Sequence, residues 1–220
     1  MSIRREGAAP SAPVLPLPVY ILAGGKSSRF GGDKARAQVR GRALILHLTE
    51  ALQPVASRFA VVADRVEKYT DLGLRTLADR RADAGPLAGI ETALEDSDPA
   101  TAAGPGEDSG WRLIVSCDWV GLRAAWVEAL ARAAAADGGP IPPAVAFHGE
   151  RWEPLLALVH VALRPAIAAM FTAGDTAVWR LLDRAGARKL PLPTDWSAAA
   201  QVNTPQQLAD WLARQDRGKI

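Results

Sequence analysis

The sequence predicts a single-domain α/β fold whose sheet is mostly parallel with one antiparallel strand. Three observations predict it. Short apolar runs alternate with helical stretches along most of the chain, the first run ends in a glycine-rich turn, and two late apolar runs are joined by only a few residues. Taken in order, "VYILA" (Val19 to Ala23) is apolar without alternation, as expected of a strand buried on both faces. "ALILHLTEALQPV" follows, with Leu44, Leu48, Ala51 and Leu52 on one helical face and Pro54 at its end. "RFAVVA" reads as a second strand, "LRTLA" as a weak third, and "LAGIETALE" as a helix started by Pro86. "WRLIVSC" (Trp111 to Cys117) is a strong strand, and "LRAAWVEALARAAAA" is a long helix stopped by Gly138, Gly139 and Pro140. "PAVAFHG" and "EPLLALVH" form an antiparallel pair around "GERW". Helices follow at "LRPAIAAMF" and "TAVWRLLDRAG", and "TPQQLADWLARQ" closes the chain, with Thr204 as N-cap and Pro205 in the first helical position.

Composition narrows the function classes. Among 220 residues, 26 Lys and Arg oppose 24 Asp and Glu. The resulting charge of +2 gives no general field for nucleic acid or an anionic membrane, so an anion must be bound locally. The single cysteine, Cys117, excludes an intrachain disulfide, and the three histidines lack metal-ligand spacing. No run of about 18 apolar residues occurs. A reducing, cytoplasmic setting is the expectation. Residues 1–17, rich in proline and alanine, read as an extended lead-in to a domain spanning 18–220, and "DSDPATAAGPGEDSG" reads as an exposed loop.

The chemistry concentrates directly behind the first strand. "LAGGKSSRFGGDK" (Leu22 to Lys34) carries four glycines and, with Arg36 just beyond, a set of four cations. A strand, glycine turn and helix bring main-chain amides onto an anion, and Gly24 and Gly25 admit a phosphate close to the backbone. Arg29 offers a planar fork for phosphate oxygens, whereas Lys34 offers a compact charge. The spacing fits neither the P-loop nor the dinucleotide fingerprint. Asp118 follows "WRLIVSC" at a strand's carboxyl end, where a hard carboxylate suits Mg2+; it is equally placed to cap the helix beginning near Leu122. Cys117 reads as a packing residue.

The loop resembles the LAGGxSxRxGxDK signature of nucleotidyltransferases and is most similar to the molybdenum cofactor guanylyltransferase (MobA) family. "DAGPLAGI", "SCD", "EPLLALVH" and "VNTPQQL" agree with that family in order, so the resemblance spans residues 18 to 213. It implies a three-layer, Rossmann-like nucleotidyltransferase fold and Mg2+-dependent transfer of GMP from GTP to the terminal phosphate of molybdopterin cofactor. It further implies that Leu22, Ala23, Gly24, Gly25, Lys34, Asp79, Gly85 and Asp118 hold the nucleotide, with Gly89 close by. Arg29, Lys34 and Asp118 are the implied catalytic group, Asp118 the metal ligand, and Asn203 either a pterin contact or the cap of the last helix. Asp83 competes with Asp79, whose spacing is one residue short. The implied partners are GTP, molybdopterin cofactor and a recipient molybdoenzyme or its chaperone, with no nucleic acid or membrane. Glycine rather than alanine at Gly24 favours GTP over CTP. The alternatives are a relative using CTP or a sugar-phosphate acceptor, and a non-catalytic protein that delivers the cofactor. Two departures stand out: "WVGL" replaces the family's small residue and proline after Asp118, and Val62 falls where an asparagine is usual.

Overall fold

The computed structural model describes residues 12–13, 15–24, 30–96, 109–136 and 140–217. The elements are β1 (Leu17–Leu22), β2 (Gln38–Val39), β3 (Arg42–Ala43), α1 (Leu44–Leu52), β4 (Ala56–Ala63), β5 (Thr76–Ala78), α2 (Pro86–Glu95), β6 (Trp111–Ser116), β7 (Trp119–Val120), α3 (Ala124–Ala135), β8 (Ala144–His148), β9 (Trp152–His160), α4 (Arg164–Thr172), α5 (Val178–Arg184), β10 (Arg188–Leu190), β11 (Ala200–Gln201) and α6 (Pro205–Arg217). Seven strands form the main sheet in the order β10-β8-β9-β6-β1-β4-β5. The pairs β1 with β4, β1 with β6, β4 with β5 and β8 with β10 are parallel, and β9 alone runs against its neighbours β6 and β8.

Every residue of β1 and of β6 is buried, which explains their unbroken apolar runs. Alternate side chains feed opposite layers. Val19, Ile21, Leu113 and Val115 join a core built with α1 and α3, whereas Tyr20, Leu22 and Ile114 join one built with α2, α4 and α5. In α3 the buried residues Trp126, Val127, Leu130, Ala131 and Ala134 make one stripe. A fully buried leucine such as Leu130 contributes roughly 1.5–3 kcal/mol by burial alone. A third, smaller core of Val39, Leu44, Val120, Val202 and Leu208 joins α6 to α1.

Topology selects the place for a ligand. From β1 the chain moves outward to β4 and β5, then returns to the other side of β1 as β6. The carboxyl ends of β1 and β6 therefore lie side by side where the strand order reverses, and the crevice beside them is the place at which open α/β sheets bind ligands. Among the described residues, the sequence reading anticipated the strands of the main sheet except β10, together with the six α-helices. β1 extends two residues ahead of "VYILA" to Leu17, with a register shift at Leu17/Pro18 that accommodates the missing amide hydrogen of proline. The lead-in call for residues 1–17 and the call for "DSDPATAAGPGEDSG" fall mainly outside the described residues.

Candidate active site

The crevice is held shut at its base by main-chain bonds. The amide of Ala23 donates to the carbonyl of Val62 at 2.8 Å, and that of Cys117 donates to Leu22 at 3.0 Å. Leu22 and Ala23 are buried and Gly24 is exposed at the rim. Beyond the signature loop, Asp33 caps a single 3-10 turn, Lys34–Arg36, by accepting from the amide of Ala35 at 3.1 Å. This turn aims Lys34 across the crevice. Its ammonium donates to Asp118 Oδ2 at 3.3 Å and to Asn203 Oδ1 at 2.8 Å, so three segments far apart in sequence meet at one cation.

Asp118 accepts at its other oxygen from Ser116 Oγ at 2.5 Å. It does not cap the following helix, which starts at Ala124 with Arg123 in the cap position; two residues of β7 intervene. Its carbonyl accepts from the amide of Val202 at 2.9 Å, alongside the β7–β11 ladder that pairs Trp119 with Gln201 and Val120 with Ala200. That ladder brings Asn203 to the crevice. The cap of α6 is Thr204, whose hydroxyl accepts from the amide of Gln207 at 3.1 Å, while Gln207 Oε1 accepts from the amide of Asn203 at 2.6 Å. Asn203 is thus free of the capping task. Gly121, at φ +74°, passes beneath the same strap: a Cβ there would lie 2.8 Å from the Ala198 carbonyl oxygen.

Asp79 stands beside Gly24, its Oδ2 only 3.1 Å from where a Cβ on that glycine would lie. Its Oδ1 is buried without a hydrogen-bond partner. Burial pushes the carboxyl up to about 6, and the carboxylate of Asp64 adds to the rise. Asp83, the competing carboxylate, sits in an exposed turn at φ +57°, whereas Asp79 is the one of the two that stands beside Gly24. Gly85, at φ +76°, is the exposed N-cap of α2. Gly89, expected close to the nucleotide, is buried, and a Cβ on it would lie 2.9 Å from Leu22 Cδ2. Its small size lets α2 pack on β1.

Gly25 and Arg29 lie outside the described residues. Cys117 is the packing residue the sequence suggested: burial, then the neighbouring Asp118 carboxylate, push its thiol up to about 12, far from a reactive thiolate. Trp119 is buried, donating through Nε1 to the Leu155 carbonyl at 3.3 Å and meeting Trp196 edge-on at 5.1 Å. The tryptophan that replaces the family's small residue is absorbed by a core aromatic group. Val62 is likewise buried, against Leu22 and Ala60.

Among the described residues no group of three or more His, Cys, Asp or Glu side chains forms a metal cage. A magnesium ion delivered on a triphosphate needs only one or two carboxylates from the protein, since phosphate oxygens and waters complete its octahedron. Asp118, whose Oδ2 already faces a cation in Lys34, fits that demand.

Sequence reasoning missed Tyr69 and Ser116. The hydroxyl of Tyr69, a fully buried residue, lies 3.0 and 2.9 Å from the two carboxylate oxygens of Asp33. The available signal was a lone aromatic in the polar run "DRVEKYTD".

Residues 19–189 match the family described as the MobA-like NTP transferase domain. The chain belongs to this MobA-like family. A relative from Serratia proteamaculans (strain 568), named molybdenum cofactor guanylyltransferase, is 33% identical over 201 residues, covering 90% of this chain and 94% of its own. One of the same name from Pseudomonas aeruginosa PAO1 is 32% identical over 204 residues, covering 91% and 97%. The crystal structure of molybdopterin-guanine dinucleotide biosynthesis protein A from Archaeoglobus fulgidus superposes with a TM-score of 0.70 at 19% identity, covering 91% and 99%. That of CMP:2-keto-3-deoxy-manno-octonic acid synthetase complexed with CTP does so at 0.64 and 15%, covering 92% and 99%. The MobA-like chain therefore shares its fold with nucleotidyltransferases that differ widely in sequence.

Proposed function

We propose that this protein transfers GMP from GTP to the terminal phosphate of molybdopterin cofactor, giving the guanine dinucleotide form of the cofactor and pyrophosphate. The observation that carries this reading is the convergence of Lys34, Asp118 and Asn203 at the carboxyl end of β6, next to that of β1. Family membership and the names of the relatives supply the acceptor. In the reaction an acceptor phosphate oxygen bonds to the α-phosphorus in line, the bond to the α,β-bridging oxygen breaks, and its electron pair leaves with pyrophosphate.

Each side chain has a task. Gly24 and Gly25 let main-chain amides approach the triphosphate. Asp79 receives the base: guanine offers two adjacent donors, N1–H and the 2-amino group, to a carboxylate whose Oδ2 lies beside Gly24 at the crevice. Cytosine has no such pair of donors, which favours GTP over CTP. Lys34 binds phosphate oxygens, and Arg29 meets the charge that builds on the leaving group. Asp118 holds Mg2+, which when bound neutralises phosphate oxygens and orients them. Asn203 faces the acceptor side of Lys34. Gly85 keeps the N-terminus of α2 clear of side chains where the nucleotide passes.

No described helix is long and apolar enough to cross a membrane. With a free cysteine as its single thiol, the protein suits the reducing cytoplasm, where it passes its product to a molybdoenzyme or a chaperone. The test is purified protein with Mg2+, labelled GTP and molybdenum cofactor. Pyrophosphate release with label in the cofactor is expected. Tight GTP binding without turnover would make this a delivery protein, and turnover with CTP alone would overturn the base assignment.

A further inference from the structure

Lys34 poses a mechanical problem. It sits on a turn of three residues, directly behind a loop containing Gly31 at φ +73°, and neither has the cooperativity to hold a charged side chain still. The Asp33 side chain supplies the restraint, because it caps the turn through the amide of Ala35. Asp33 is in turn held from the opposite side by the connection between β4 and β5. The Tyr69 hydroxyl reaches both of its oxygens, and Lys68 Nζ lies 3.7 Å from Oδ2. The same connection grips the far end of the turn. Arg36 donates to both oxygens of Asp71, at 2.8 and 2.7 Å, and to the Lys68 carbonyl at 2.6 Å, with its guanidinium 5.3 Å from the centre of the Tyr69 ring.

We propose that Tyr69 is a positioning residue for Lys34: its hydroxyl, through Asp33, locks the turn so that the ammonium is already aimed at the triphosphate before it arrives. The idea rests on the nucleotide reading above. Two features of the geometry carry it. Tyr69 is fully buried in the core beneath the crevice, so its ring cannot swing away, and its one polar atom is spent on the cap of the turn that bears Lys34. A buried phenol bonded to a carboxylate is also directional in a way that a purely apolar residue at this place would not be.

Isothermal titration of GTP with Mg2+ into the wild type, Tyr69→Phe, Lys34→Ala and the double variant tests the proposal without needing turnover. Tyr69→Phe keeps the ring and removes only the hydroxyl. It is expected to weaken GTP roughly fivefold to tenfold, about what one ordinary hydrogen bond contributes. In the Lys34→Ala background the same change is expected to cost less than about twofold, because the group being positioned is gone. Asp33→Ala, which removes the acceptor for both the Tyr69 hydroxyl and the amide of Ala35, provides a second route to the same cycle if Tyr69→Phe melts early. Equal weakening in both backgrounds would overturn the clamp and leave the nucleotide reading intact. A wild type that binds no GTP would instead remove the nucleotide reading on which the clamp depends.

Discussion

Asp79 shows how a single residue can trade stability for binding. Its folded carboxyl titrates near 6, above the ordinary value of 3.8, so between those pH values the folded protein binds a proton that the unfolded chain releases. Its contribution to stability therefore declines as pH rises through that window, and the penalty is complete above it. Asp79→Asn is expected to melt higher than wild type at about pH 7.5, with the difference shrinking towards pH 4, as calorimetry at several pH values would record. The same variant is expected to bind GTP at least roughly tenfold more weakly. In the wild type, GTP affinity should weaken as pH falls below about 6, when the carboxylate that faces guanine is protonated. Asp118→Asn tests the metal role: it keeps an oxygen for the Ser116 hydroxyl yet is expected to lose Mg2+-dependent turnover, with a melting temperature close to wild type. The signature made Lys34 legible, and the place of Asp118 at the end of "WRLIVSC" made that carboxylate so. Tyr69 was not, because a residue whose work is done through Asp33 leaves no spacing for a pattern to find.

At the scale of elements, length decided what could be read. The strands β1, β4, β6, β8 and β9 run five to nine residues and announce themselves by buried runs. The two-residue strands β2, β3, β7 and β11 and the three-residue β10 are too short to show a period; β2 and β3 pair with each other across Arg40 and Gly41, whereas β7, β11 and β10 exist through tertiary contacts that local sequence does not encode. The cost of that blindness fell on Asp118. Without β7, the helix after it looked close enough to cap. Gly121→Ala tests the strap formed by β7 and β11: with φ at +74° and 2.8 Å to the Ala198 oxygen, a methyl group there is expected to cost about 2 kcal/mol. Because the same shift moves Asn203 away from Lys34, turnover should fall by more than the loss of stability explains, as steady-state rates well below the melting temperature would reveal. Thr204→Ala, which removes only the cap of α6, is expected to cost about 1 kcal/mol in chemical denaturation.

For the molecule as a whole, the crevice lies where layers from both faces of the sheet meet, so filling it should stabilise the entire fold. GTP with Mg2+ at 100 times its dissociation constant is expected to add about 2.7 kcal/mol. In a protein of this size that is a rise of roughly 5–10 °C in melting temperature, with CTP, ATP and UTP giving far less at equal concentration. The contact between the Lys34 ammonium and the Asp118 carboxylate, both largely shielded from solvent, has a bearing on the order of events. A resting site that already satisfies its own charges has little appetite for a bare divalent ion, or for free phosphate. Only a visitor bringing both signs together can take the lysine for its anion and leave the aspartate for its metal, an exchange of partners with no stranded charge at any stage. Magnesium salts without nucleotide should therefore leave the melting curve where it was.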